Sequence, residues 1–148
     1  MTFPGNFYRI VLSAIFILGI AGVLFSSVAG EARPSGGVNC DIHQNICSRE
    51  LPGYTVKLDI NPKPVKAMKD LTFRVLITGE KLQENPFIDL GMPGMKMGPN
   101  RVHLEAVNDT TYEGKGVIVR CPSGRHIWRA TVTVPQKGAV EFIFDVIY

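Results

Sequence analysis

From Tyr54 onward the chain alternates apolar and polar residues, and it does so in seven separate runs. Tyr54, Val56, Leu58 and Ile60 share one face; Leu71, Phe73, Val75 and Ile77 repeat the pattern. Ile88, Leu90 and Met92 follow, then Val102, Leu104 and Ala106, then Val117, Val119 and Cys121. Trp128, Ala130, Val132 and Val134 form the sixth run, and Val140, Phe142, Phe144, Val146 and Tyr148 the last. A period of two places alternate side chains on opposite faces of a strand and leaves one face to be buried. Turn chemistry separates the runs at Asn61-Pro62-Lys63-Pro64, Gly79-Glu80, Asn108-Asp109-Thr110, Pro122-Ser123-Gly124 and Gln136-Lys137-Gly138. Seven short strands at this spacing predict an all-β fold, an immunoglobulin-like seven-stranded β-sandwich.

The remaining connection is Met92-Pro93-Gly94-Met95-Lys96-Met97-Gly98-Pro99-Asn100, with three of the five methionines in six residues. Proline and glycine exclude a helix interior, and no β-branched residue favours a strand. Two readings stand side by side. Thioethers are soft, uncharged ligands that select Cu(I) over harder ions. Methionine is also flexible apolar filler for the end of a core.

Counting strand ends bears on that choice. If successive strands run antiparallel, connections 61–70, 92–100 and 122–125 emerge at one end of the domain. They bring Met68, then Met92, Met95 and Met97, then Cys121 and His126. Parity turns Met92, Cys121 and His126 inward and His103 outward. The expected Cu(I) ligands are therefore Met92, Met95 and Met97, with Cys121 or His126 completing the set. Taken singly, Met68 reads as packing, Cys121 as a small buried hydrophobe and His126 as an ordinary strand-end histidine. A blue-copper electron-transfer site needs two histidines, a cysteine and an axial methionine, and no Met follows the Cys121–His126 segment.

The chain has 148 residues, and its first thirty differ from the rest. Arg9 is the sole charge there, and Ile10–Phe25 is dense in Ile, Leu, Val, Phe and Ala. That stretch exceeds an ordinary signal core and nears the ~20 residues that cross a bilayer. Ser27-Val28-Ala29 offers small residues for cleavage. A removed signal peptide and a retained transmembrane helix both fit residues 1–30, and either exports the remainder. Residues 31–53 read as a tether carrying the cysteine loop, and 54–148 as the sandwich. Fifteen basic and thirteen acidic residues follow Ala29, a net of +2 scattered along the chain, which gives no warrant for nucleic-acid binding.

Exported thiols tend to oxidise. Cys40 and Cys47 close a short loop that reads as a disulfide or, with His43, as a second metal site; the loop is expected at the end opposite the methionines. Pairing those two leaves Cys121 over. Enzymatic motifs are lacking: Ser123 has no nucleophile-elbow glycines, and there is no His-Glu-x-x-His, P-loop or dinucleotide fingerprint. A non-enzymatic protein is expected.

Asp89-Leu90-Gly91-Met92-Pro93-Gly94-Met95-Lys96-Met97-Gly98, Tyr112-Glu113-Gly114-Lys115-Gly116, Cys121-Pro122-Ser123-Gly124, Trp128 and Ala130-Thr131-Val132-Thr133-Val134 together resemble the FixH-like and YtkA-like exported domains. The resemblance covers about residues 54–148; the Cys40–Cys47 loop has no counterpart in it. It implies a small β-sandwich in the bacterial periplasm or at the outer surface of the membrane. Its FixH branch implies copper supply during respiratory oxidase assembly, with a membrane protein such as an oxidase subunit as donor or recipient. The rival reading, from a different class, is an immunoglobulin-like interaction module that grips another protein through its methionine-lined end.

Overall fold

The computed structural model describes residues 37–148, so the predicted signal or membrane segment and residues 31–36 lie outside the described part. Nine strands form among these residues: β1 Cys47–Leu51, β2 Tyr54–Asn61, β3 Asp70–Thr78, β4 Phe87–Gly91, β5 Arg101–His103, β6 Glu105–Ala106, β7 Thr111–Val117, β8 Ile127–Val134 and β9 Gly138–Asp145. They build two sheets, ordered β1-β2-β3-β7-β6 and β5-β4-β8-β9. Every strand pairing is antiparallel. The described chain is all-β, two antiparallel sheets arranged as a β-sandwich. No helix among the described residues is long and apolar enough to cross a membrane.

Alternation produces the core as expected on β2, β3, β4 and β8, and on β9 except that Ile143 of the other parity is also buried and Tyr148 beyond the strand is 38% exposed. Val56, Leu58 and Ile60 of β2, Phe73 and Val75 of β3, Ile88 of β4, Trp128, Ala130, Val132 and Val134 of β8, and Phe142 and Phe144 of β9 are completely buried. Each of the larger of these side chains contributes about 1.5–3 kcal/mol of burial free energy.

Nine strands replace the expected seven for two reasons. Cys47–Leu51, assigned above to the tether, pairs along β2 from Cys47 opposite Leu58 to Leu51 opposite Tyr54. Ile42 is fully buried, and Asn39 brackets the β9 backbone: its N–H donates to the Ile143 carbonyl at 2.8 Å, and its Oδ1 accepts from the Ile143 N–H at 2.9 Å. The stretch from Asn39 to Gly53 therefore belongs to the sandwich. The run 102–106 is also two strands, since β5 lies in one sheet and β6 in the other. The chain changes sheets at buried Leu104, which leaves Ala106 exposed instead of inward.

The fifth run is corrected as well. Val117 and Val119 are 37% and 43% exposed, whereas Tyr112 and Ile118 are buried. The inward positions of β7 between them are Gly114 and Gly116, which carry no side chain to reveal the alternation. A Cβ on Gly114 would lie 2.2 Å from the His103 carbonyl oxygen, and one on Gly116 2.8 Å from Val102. These glycines let the β5–β6 crossover lie against β7.

Candidate functional site

The Met loop begins where β4 ends. Met92 is 1% exposed and completes the inward row of Ile88 and Leu90. Past Pro93 the chain turns through Gly94, in the left-handed region at φ 71°, and the Met95 N–H returns to the Met92 carbonyl at 3.1 Å. Glycine tolerates that backbone region without a steric penalty. Met95 and Met97 are half-buried and pack on the edge of the core, not outward into solvent. The loop closes as the Leu90 N–H donates to the Asn100 carbonyl at 2.8 Å.

The second element is the turn between Ile118 and β8. Cys121 is free and 8% exposed. Its Sγ lies 3.0 Å from the Ser123 hydroxyl, and the Gly124 N–H closes the turn on the Cys121 carbonyl at 3.0 Å. The Ser123 hydroxyl foremost, then the backbone N–H groups of Ser123 and Arg125 and the Arg125 charge, hold the thiol below its ordinary range, against the opposing effect of desolvation. Tyr148 secures the turn through one oxygen. It accepts from the Cys121 N–H at 3.2 Å and from Trp128 Nε1–H at 3.3 Å, while its own hydroxyl donates to the Arg125 carbonyl.

One contact joins the two elements: the Arg125 guanidinium donates to the Pro93 carbonyl at 3.0 Å. The Met loop and the cysteine turn therefore meet. The connection between β2 and β3 reaches the same end, its Met68 N–H donating to the Ile118 carbonyl at 2.8 Å. Met68 itself is 64% exposed with φ 58°. It does not turn in toward the cysteine turn.

Two site expectations change. His126 is exposed, because it precedes the first residue of β8 and only its carbonyl is engaged, by the Val146 N–H at 2.9 Å. The Cys40–Cys47 loop is at the methionine end, not opposite it. Cys47 faces Leu58, near the end of β2, and Lys63 Nζ reaches the Asn45 carbonyl at 2.9 Å. Cys40 and Cys47 form a disulfide with Cα atoms 5.7 Å apart. His43 Nδ1 accepts the Val65 N–H at 3.0 Å, while its Nε2 lies 3.4 Å from an Asp145 carboxylate oxygen without a hydrogen bond. A disulfide removes both thiolates from any cysteine–histidine metal set. Among the described residues no three His, Cys, Asp or Glu side chains converge as a metal-binding group.

Arg125, Ser123 and Tyr148 help build the candidate site and were not expected there from the sequence. Ser123 carried a usable signal, since a hydroxyl two residues beyond a turn cysteine reaches back toward its sulfur. Arg125 carried none, because its partner is a backbone carbonyl 32 residues away. Comparison with protein families, with curated proteins and with solved structures found no match.

Proposed function

We propose that this is an exported Cu(I)-binding protein that passes the ion to, or accepts it from, a membrane protein such as a respiratory oxidase subunit. Met95, Met97 and Cys121 are the ligands in this reading, with Met92 anchoring the loop from below. The observation that carries it is the Arg125–Pro93 contact, which clasps a methionine loop to a cysteine whose thiol ionises below its usual range. Thioethers bind without losing a proton, and the Cys121 thiol gives up its own more readily than an ordinary cysteine, so such a donor set suits a soft monovalent ion. The disulfide supports an oxidising, extracytoplasmic compartment, for which we propose the periplasm. The sandwich fits an immunoglobulin-like variant with the 1–30 segment as signal or anchor.

The test is a Cu(I) titration against a competing chelator under reducing conditions that spare the disulfide. Met95→Leu with Met97→Leu, and separately Cys121→Ser, should each weaken binding at least tenfold. Unchanged affinity in both overturns the reading. The interaction-module alternative draws on exposed Met68; it gains if the protein takes up no copper yet holds a partner through residues 92–100.

A further inference from the structure

Three backbone segments lie side by side at the end of the sandwich that carries the loops. The Ala67 N–H donates to the Ile147 carbonyl, the Ile147 N–H to the Val65 carbonyl, and the Met68 N–H to the Ile118 carbonyl. Lys66 bridges Ile147 in parallel register. Segment 65–69 is thus a ribbon between 117–119 and 146–148.

The side chains it displays are of two kinds. Of the eight large apolar residues exposed among the described residues, five are here: Met68, Val117, Val119, Ile147 and Tyr148. Single exposed apolar residues are ordinary, but a contiguous group of them marks a contact surface. Around them stand Lys66, Lys69, Lys115, Arg120 and Arg125, all exposed, against Asp70 and half-buried Asp145. None of these five cations has a carboxylate partner among the described residues. The Arg120 guanidinium lies 5.6 Å from the centre of the Tyr148 ring.

The sequence suggested scattered charge; the fold segregates it. Residues 37–148 hold fourteen basic and twelve acidic side chains, a net of +2. The tip holds five basic and two acidic, a net of +3, so the remainder of the described chain is −1.

We infer that this tip docks on an anionic lipid surface. Lysine is depleted in protein interfaces relative to the rest of a protein's surface, whereas three of the tip's five cations are lysines. Aliphatic side chains ringed by Lys and Arg, with a tyrosine at the border, match the headgroup boundary. There the apolar groups enter the acyl region and the long cationic stems reach phosphate. The inference goes beyond copper binding and uses none of the proposed ligands.

The test places the full chain in lipid nanodiscs of phosphatidylcholine, with or without phosphatidylglycerol, in the absence of copper. Any membrane segment is then held constant. Hydrogen exchange of peptides spanning 65–69 and 117–120 should slow on the anionic discs only, and high salt should remove the effect. Removing each cation should weaken docking roughly fivefold, so Lys66→Gln, Lys69→Gln and Arg120→Gln together cost about a hundredfold. Met68→Ser with Val119→Ser should weaken docking on the same discs with the charges intact. All five positions are exposed, and an unchanged melting temperature verifies the fold. Equal exchange on both lipids overturns the inference. So does protection that grows with protein concentration on either lipid, which assigns the tip to a second copy. Protection by soluble polyglutamate but by neither disc assigns it to an acidic protein and also overturns it.

Discussion

Arg125 and Pro93 are 32 residues apart in sequence, and one guanidinium-to-carbonyl hydrogen bond of 3.0 Å sets the methionine loop against the cysteine turn. The bond is exposed, so its worth lies in position more than in global stability.

Arg125→Gln should therefore cost little stability, about 0.5–1.5 kcal/mol at most. The loop should respond more strongly. Hydrogen exchange over residues 94–98 should accelerate while β8 and β9 remain protected, and Cu(I) affinity should fall. A loop that exchanges at the wild-type rate shows that the clasp has no positioning role.

Cys121 is the chain's only free thiol, so its alkylation rate reports a single group. Its folded-state pKa is depressed below the ordinary value of 9.0. Stability from this group therefore develops as pH rises through the lowered folded value and is complete above about 9; it is lost as pH falls through the folded value. Ser123→Ala removes the largest stabiliser of the thiolate. The alkylation profile should then move to higher pH, and the alkaline gain in stability should shrink. Coincident profiles for the two proteins refute the assignment.

Tyr148→Phe deletes an oxygen that receives the Trp128 indole N–H and the Cys121 amide and that holds the Arg125 carbonyl. Trp128 is fully buried, so its N–H is left without an acceptor. Urea denaturation should show a loss of about 1–3 kcal/mol. The 121–125 turn should lose exchange protection in the same variant.

Gly114→Ala and Gly98→Ala separate packing from backbone freedom. At Gly114 the new methyl group meets the His103 carbonyl oxygen at 2.2 Å, a backbone atom that cannot swing aside. The expected loss is about 1–3 kcal/mol or more. At Gly98 nothing lies within 4 Å, and the change should stay within about 0.5 kcal/mol. Equal midpoints in a denaturant titration contradict the account of the crossover.

The parts of this fold that were legible in the sequence are those where side chains record the pleat. β2, β3, β4 and β8 show it because apolar side chains occupy their inward positions; β9 shows it through Val140, Phe142 and Phe144, although Ile143 on the other parity is buried too. β7 concealed its face because Gly114 and Gly116 occupy that row, and Val117 and Val119 then suggested the wrong parity. The sheet change at Leu104 was hidden for a related reason: Val102 and Leu104 keep their alternation across a break in hydrogen bonding. Counting strand ends brought connections 61–70, 92–100 and 122–125 together, because antiparallel succession alone decides it. The position of the disulfide loop was not legible, since it depends on β1 reversing beside β2. Likewise, no sequence pattern announces a guanidinium aimed at a distant carbonyl.

Asn39 has a consequence for how the protein behaves when crowded. An open strand margin invites another chain to extend the sheet, which is the first step toward fibrils. By clamping Ile143 with two hydrogen bonds, Asn39 occupies part of the β9 margin. The opposite margin, β5, is three residues long and carries Arg101 and His103, while β6 in the other sheet is only two residues. Little template therefore remains on these three margins for lateral growth. A variant lacking the Asn39 amide should be the one that gels on concentration.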